Sequence, residues 1–150
     1  NGCGKSSVLK LLLGKAVDHE GYLYKANGLR ISYVPQNTDG LKGDLREYAY
    51  NCGIDESLFK TILRKLDFSR IQFEKKIEEF SEGQKKKVLI AGSLCEQAHL
   101  YLWDEPLNYI DVFSRIQIEE LLKNSGITLL FVEHDLAFCN QIKTKEILMQ

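Results

Sequence analysis

The sequence predicts an α/β fold in which a mostly parallel sheet is flanked by helices. Short apolar runs alternate with helical patterns, as expected for parallel strands joined by helical crossovers. Between residues 41 and 80, helical patterns follow one another with almost no strand pattern, which indicates a helical insert in the α/β core. The net charge of -1 over 150 residues argues weakly against a broad nucleic-acid surface, because such surfaces are rich in lysine and arginine.

The chain opens with a glycine-rich segment of seven residues: Asn1, Gly2, Cys3, Gly4, Lys5, Ser6 and Ser7. This segment matches most of the motif G-x-x-x-x-G-K-[ST], whose backbone N–H groups cradle phosphates. We expect the first glycine of the motif, and the strand that feeds it, to lie before Asn1. Helical spacing from Ser6 to Leu13, stopped by Gly14, predicts a helix whose positive end faces the phosphates.

Four apolar runs predict strands, at Gly21 to Lys25, Leu29 to Val34, His99 to Trp103 and Ile127 to Val132. The turn pattern Asn27-Gly28 separates the first two runs. Gln36 follows the second run, Asp104 and Glu105 follow the third, and His134 follows the fourth. A parallel sheet would deliver such polar residues at the carboxyl ends of its strands.

Capping residues and apolar spacing predict the later helices. Asp55 caps a helix with an apolar stripe, made of Leu58, Phe59, Ile62, Leu63 and Leu66. Ser81 caps the next helix, which has Val88, Leu89, Leu94 and Cys95 among its apolar positions. Two further helices are expected over Val112 to Lys123 and Asp135 to Ile142. We therefore expect a single domain over residues 1–150, with a helical subdomain of about residues 41–97 inserted in the core.

The cysteines show no pattern of a metal site or of a disulfide framework. They are scattered along the chain, at Cys3, Cys52, Cys95 and Cys139, without C-x-x-C spacing. This usage favours a reducing compartment, so we expect a cytoplasmic protein. No apolar run approaches the roughly 18 residues of a membrane-spanning helix, so direct membrane insertion is not expected.

Six motifs follow one another in a recognisable order. They are the phosphate loop, Gln36, the tetrapeptide Ser81-Glu82-Gly83-Gln84, the pair Asp104-Glu105, Asp111 and His134. This series resembles the ATP-binding cassette (ABC) family over essentially the whole chain. Phe80 to Gln84 is similar to the family signature L-S-G-G-Q, and Tyr101 to Glu105 to its Walker B strand. The resemblance implies the P-loop fold of ABC ATPases and the cofactors ATP and Mg²⁺.

The resemblance also implies a role for each residue around the bound nucleotide. The phosphate loop from Asn1 to Ser7 would hold the phosphates, with Lys5 neutralising their charge. Ser6 and Asp104 would hold Mg²⁺, and Gln36 would sense both the metal and the attacking water.

Hydrolysis would depend on the acid that follows the Walker B aspartate. Glu105 would polarise the attacking water near the γ phosphate, and His134 would hydrogen-bond that phosphate. Catalysis of this kind consists mostly of positioning and charge stabilisation, so the loss of one such group should be costly.

The signature implies a partner, because in this family it caps the ATP held by a second cassette. Ser81 would offer a hydroxyl, Gly83 an amide, and the helix that begins there its positive end. Gln84 completes the motif, and Asp111 resembles the D-loop that communicates between the two sites. One chain would then hold two half-sites, which a second cassette completes.

Glu82 departs from the family pattern, which has glycine at this position. A carboxylate beside a triphosphate would repel it and weaken closure, at a cost of about 1 kcal/mol or more. The alternative is that Glu82 points away and stabilises the first turn of its helix. The run Lys85 to Lys87 is expected to form a solvated face rather than an RNA contact. Trp103 is expected to be a buried strand residue rather than a stacking platform.

The branch of the family is suggested by the segment Leu107 to Asp111. This segment is similar to the pattern E-P-[TL]-N-x-[LI]-D of ABC-F proteins, which carry two cassettes and act on the ribosome. Ser81 to Val88 resembles the second cassette of ABC-F proteins that protect ribosomes against antibiotics. Two alternatives stay open: the nucleotide-binding subunit of a transporter, whose partner is a membrane permease, and a non-catalytic ATP-binding module.

Overall fold

The computed structural model describes residues 4–147, where three parallel strands form a sheet in the order β1-β2-β3. The strands are β1 (Ile31–Val34), β2 (Leu100–Asp104) and β3 (Leu129–Val132). Ile31 is aligned with Leu100, and Asp104 with Val132. All three strands therefore end at one edge of the sheet, and the residues that follow them are brought to that edge.

Helices surround this sheet. They are α1 (Lys5–Leu12), α2 (Leu45–Cys52), α3 (Glu56–Lys65), α4 (Glu82–Cys95), α5 (Val112–Ser125) and α6 (Leu136–Ile142). Two 3₁₀ turns, Arg70–Glu74 and Ile77–Glu79, precede α4. The side chains of Asp44, Asp55, Ser81, Asp111 and Asp135 each accept a backbone N–H three residues on. Each such cap contributes about 1 kcal/mol, so the sequence fixes where these helices begin.

The predicted strand over Gly21 to Lys25 is wrong, because residues 15–30 are irregular. A strand needs a neighbour for its backbone hydrogen bonds, and in the part of the chain that the structure describes this run has none. Tyr22 and Tyr24 are correspondingly exposed to solvent. The turn at Asn27-Gly28 does form, with the Leu29 N–H donating to Ala26 O at 3.3 Å, and the next strand begins at Ile31.

One hydrophobic core joins the sheet to the helices that lie between β1 and β2. It contains Val34 and Trp103 from the sheet together with Phe59, Leu63 and Val88 from α3 and α4. Trp103 is fully buried, and its Nε1 donates to Ser93 Oγ at 3.0 Å, so the prediction of a buried strand residue is confirmed. Leu58 is the exception to the predicted stripe of α3, since 47% of it is exposed.

Candidate functional site

Two of the predicted site residues, Gln36 and His134, contact the carboxylate of a third, Glu105, at the carboxyl edge of the sheet. Gln36 Nε2 donates to Glu105 Oε2 at 2.9 Å, and His134 Nε2 lies 3.3 Å from Glu105 Oε1. Asn108 Nδ2 donates to the same Oε2 at 2.8 Å. The backbone N–H of Glu105 donates to Val132 O at 2.9 Å, which ties the residue to the end of β3. Glu105 is therefore held from three loops at once.

These contacts keep Glu105 ionised. The hydrogen bond from Asn108 is the largest influence and lowers the pKa of Glu105, and Gln36 and His134 act in the same direction against partial burial. The side chain is only 19% exposed, with two amide donors on Oε2 and His134 Nε2 beside Oε1. An ionised, oriented carboxylate is suited to polarising a water molecule.

Asp104, the last residue of β2, has a different environment. It is buried, and burial raises the pKa of its carboxyl, as does the charge of Glu105. The positive charges of Lys86 and Lys10 oppose this shift. A nearby cation would stabilise the ionised form of Asp104 beside Glu105, so the Asp104 carboxylate suits a divalent metal ion.

The donor set suits Mg²⁺ that arrives with a phosphate ligand. Between residues 4 and 147 no three His, Cys, Asp or Glu side chains are grouped closely enough to hold a metal ion by themselves. Mg²⁺ is usually bound through one or two carboxylates, with substrate phosphates and waters completing its shell. Asp104 suits that arrangement by its position at the end of β2, and the Ser6 hydroxyl as a second ligand stays a prediction.

The start of α1 fits those phosphates. Gly4 caps the helix with φ 83°, a left-handed conformation that glycine adopts without strain, and its carbonyl accepts the Val8 N–H at 3.0 Å. Lys5 is the first residue of α1, which packs against β2. A helix amino terminus is a favourable site for phosphate. Asn1, Gly2 and Cys3 lie outside the described residues, so their predicted part in the loop stays a prediction.

The signature segment and the D-loop line a second, separate depression of about 260 Å³. Its lining includes Ser81, Gly83, Gln84, Lys87, Tyr109 and Asp111. Ser81 and Gln84 form a capping box, in which Gln84 N donates to Ser81 Oγ at 3.2 Å and Ser81 N to Gln84 Oε1 at 3.0 Å. A Cβ on Gly83 would collide with the carbonyl oxygen of Tyr109, so only glycine permits this approach. This depression is the surface expected to face a partner's nucleotide.

Asp111 joins the D-loop to the signature helix. Its side chain caps α5 by accepting the Ser114 N–H at 2.8 Å, and Lys87 Nζ lies 2.7 Å from Oδ2. Burial by itself would raise the pKa of Asp111, but the hydrogen bonds from Lys87 and Ser114 outweigh burial and hold the pKa far below its ordinary value of 3.8. Asp111 is therefore ionised near neutral pH, with Lys87 Nζ beside it.

We expect this ion pair to make acid stability depend on Asp111. A carboxyl with a lowered pKa in the folded state adds stability above its unfolded pKa of 3.8, and this stability is lost as the pH falls towards the folded pKa. Asp111→Asn keeps a capping side chain but lacks the charge. The difference in unfolding free energy between wild type and variant should be largest at neutral pH and should shrink below about pH 4.

Urea unfolding at several pH values measures that difference. Asp18 is exposed, so Asp18→Asn serves as the control and should change the unfolding free energy little at any pH. If the unfolding free energy of Asp111→Asn differed from that of wild type by the same amount from neutral pH to about pH 3, the charge would not be what stabilises the loop.

The prediction of a solvated lysine face is wrong for two of its three residues. Lys86 is fully buried and Lys87 is 7% exposed. Helical geometry explains this outcome, because Lys86, Ile90 and Ser93 are spaced at i, i+4 and i+7 on the buried face of α4. Burial lowers the pKa of Lys86, while the charges of nearby carboxylates, that of Asp104 first, act in the opposite direction.

Glu82 is held by its neighbours. Thr38 Oγ1 donates to one carboxylate oxygen, and Lys85 Nζ lies 3.1 Å from the other. The hydrogen bond from Thr38 lowers the pKa of Glu82, and so does that from Lys85. The side chain is half exposed, and both partners lie on this chain. Its effect on a partner's ATP stays a hypothesis.

Sequence reasoning missed four residues of the site: Thr38, Lys86, Asn108 and Glu133. Glu133 accepts the backbone N–H of Leu107 at 3.1 Å and that of His134 at 2.7 Å, which ties the segment after β2 to the segment after β3. The i, i+4 spacing of Lys86 from Ile90 was a usable indication of burial. Thr38, Asn108 and Glu133 lie in loops, where the sequence contains no periodicity that predicts their contacts.

No helix among residues 4–147 is both long enough and apolar enough to cross a membrane.

Comparison with known proteins agrees with the geometry. Residues 1–108 match the family model described as ABC transporter. The uncharacterized ABC transporter ATP-binding protein MJ0719 of Methanocaldococcus jannaschii is 31% identical, over 97% of this chain and 25% of its own length. The zinc import ATP-binding protein ZnuC of Yersinia pestis bv. Antiqua is 31% identical, over 99% of this chain and 61% of its own length.

A solved structure gives the same result. The archaeal ribosome recycling factor aABCE1, in complex with the ribosomal stalk protein aP1, superimposes with a TM-score of 0.79 at 30% identity. The match covers 95% of this chain and 29% of that chain. The present chain thus spans about a quarter of MJ0719, and its parallel sheet with flanking helices is the ABC ATPase fold. The chain belongs to the ABC transporter family of ATP-binding proteins.

Proposed function

We propose that this chain binds and hydrolyses Mg-ATP as one cassette of a pair. The observation that carries the proposal is the set of hydrogen bonds that Gln36, Asn108 and His134 direct at Glu105. ATP would bind at the start of α1, a helix that packs against β2, and its γ phosphate would point towards this edge of the sheet as the resemblance implies. Glu105 would polarise the attacking water, Gln36 would hold that water, and the exposed His134 would bond the phosphate.

Mg²⁺ would supply the positive charge that phosphoryl transfer requires. Ser6 and Asp104 would hold the ion, and Lys5 would neutralise the phosphates. The non-catalytic alternative is disfavoured by the geometry around Glu105, since a module that only binds ATP does not require a carboxylate oriented by three partners beside the phosphate site.

The second half of the proposal is a composite site. The depression lined by Ser81, Gly83 and Asp111 would cover the ATP of a second cassette, and the phosphate loop of that cassette would face this signature. The depression lies at the start of α4, whose positive end favours a negatively charged ligand.

For the biological role, we propose an ABC-F protein that acts on the ribosome in the cytoplasm, as an antibiotic-resistance or translation factor. The segment Leu107 to Asp111 supports this branch through its similarity to the ABC-F pattern. The likeness to aABCE1, a ribosome recycling factor, is in keeping with a ribosomal partner. The transporter alternative is supported by ZnuC, a zinc import ATP-binding protein of which this chain spans 61%. Its partner would be a membrane permease.

The two roles predict different partners for an ATP-loaded protein that cannot hydrolyse. We expect the intact protein with Glu105→Gln to co-sediment with ribosomes in the presence of ATP and to remain in the supernatant without nucleotide. Lys5→Ala in the same background is the control and should abolish co-sedimentation, because it removes the phosphate contact. Sedimentation is read by quantitative blotting of the ribosomal pellet. Failure to pellet, together with capture of a membrane permease, would replace the ribosomal role by transport.

A further inference from the structure

A buried lysine on the signature helix holds the loop that carries Gln36. Lys86 Nζ donates to the carbonyl oxygen of Pro35 at 2.8 Å and to that of Gln36 at 2.7 Å. Lys86 is fully buried, whereas the side chain of Gln36 is exposed and reaches Glu105 Oε2 at 2.9 Å. One ammonium group therefore fixes the backbone from which the Gln36 amide extends to the proposed water-polarising acid.

This arrangement is not explained by stability. A buried ammonium carries a desolvation penalty of several kcal/mol, and apolar residues of similar volume often stabilise a core as well or better. The neighbours of Lys86 on the same face of α4 are Ile90 and Ser93, so an apolar side chain would fit the pattern of this helix. What an apolar side chain cannot supply is a pair of N–H donors aimed at two successive carbonyl groups.

A second contact links the same two segments. Thr38, two residues beyond Gln36, is buried and donates its hydroxyl to Glu82 in the first turn of α4. The segment from Pro35 to Thr38 is thus bonded at both ends to the first two turns of the signature helix.

We infer that Lys86 is a positioning residue for hydrolysis, which holds Gln36 in reach of Glu105 and links the signature half-site to this chain's own nucleotide site. The inference rests on the proposed ATPase function. A shift of α4 on contact with a partner's nucleotide would move the Pro35 and Gln36 carbonyls with it, and the Gln36 amide would follow.

The test is Lys86→Met in the intact protein, with Lys65→Met, an exposed lysine of α3, as the matched control. We expect kcat for ATP hydrolysis to fall roughly tenfold to a hundredfold, because the Gln36 amide would be misplaced and misplaced groups at an active site typically slow a reaction to this extent. KM should stay within about twofold, since both hydrogen bonds of Lys86 go to the carbonyl groups of Pro35 and Gln36 and neither goes to the start of α1. The control should match wild type in both constants. Lys86→Gln provides the same comparison if the methionine variant does not fold, as judged by thermal melting.

Two further measurements separate positioning from a general loss of structure. Hydrogen exchange without nucleotide should rise in peptides that contain residues 35–38 and stay unchanged in α5. In a double-mutant cycle with Gln36→Ala, the double variant should be no slower than Gln36→Ala alone, because Lys86 acts through Gln36.

Three results would each overturn the inference. They are wild-type turnover in Lys86→Met, unchanged hydrogen exchange at residues 35–38, and a double variant whose kcat falls by the product of the two single-variant factors. Absence of ATP hydrolysis in the wild-type protein would instead contradict the proposed function. In that case the exchange measurement would still decide whether Lys86 holds the loop.

Discussion

Glu105→Gln is expected to reduce ATP turnover by roughly a hundredfold to a thousandfold, while Mg-ATP binding is retained. The reason is that glutamine has nearly the same shape but lacks the negative charge that polarises water. Its amide oxygen can still accept from Gln36 or Asn108, so the loop should keep its conformation. In the proposed site, binding of ATP would depend on the start of α1 and on Asp104, which the substitution leaves in place.

Steady-state phosphate release measures turnover, and a fluorescent ATP analogue measures binding. Glu120→Gln, an exposed acid on α5, is the matched control and should keep wild-type values in both assays. Turnover near wild type in Glu105→Gln would show that another group polarises the water, and the role assigned to Glu105 would be wrong. Loss of nucleotide binding would show instead that the substitution disturbs the phosphate site.

Trp103→Ala should lower the unfolding free energy by about 3–5 kcal/mol, the range seen for large aromatic side chains removed from cores. Trp103 lies on the central strand with no exposed surface. Removing the indole leaves a cavity beside β2 and deletes the hydrogen bond to Ser93 Oγ. The hydrogen bond between Ser93 and Ser32, at 2.7 Å, should survive. Because domain stabilities are about 5–15 kcal/mol, this loss could leave little folded protein.

Urea unfolding followed by circular dichroism tests this expectation. Tyr22→Ala is the control, since Tyr22 is a fully exposed aromatic residue whose truncation should change the unfolding free energy by less than about 0.5 kcal/mol. If Trp103→Ala lowered the unfolding free energy by less than about 1 kcal/mol, the core would have collapsed around the cavity, and this side chain would not be what holds the strand.

The order of motifs was enough to predict the edge of the sheet where Gln36, Glu105 and His134 meet. The prediction succeeded because adjacent parallel strands end at the same edge of the sheet, so the polar residues that follow them lie close together. Helix starts at Ser81 and Asp55 were predictable for a local reason, since the capping side chain bonds its own backbone three residues on.

Other features depend on contacts between distant segments and were beyond sequence reasoning. The run from Tyr22 to Tyr24 has the composition of a strand, but a strand requires a neighbour that composition does not supply. Lys86 has the composition of a surface residue, and its burial follows from two carbonyl groups some fifty positions earlier in the chain. The bond from Asn108 to Glu105 depends on the turn that follows β2.

The turn that follows β2 also places the backbone of Glu105 in a conformation that glycine adopts more easily than glutamate. Three non-glycine residues in the described part of the chain have positive φ, and Glu105, at φ 47°, is one of them. Such a conformation costs a residue with a side chain about 1–3 kcal/mol, and glycine would relieve it. The backbone at Glu105 therefore lowers stability, which is in keeping with the proposed role of this residue, since strained backbone of this kind often lies at active sites.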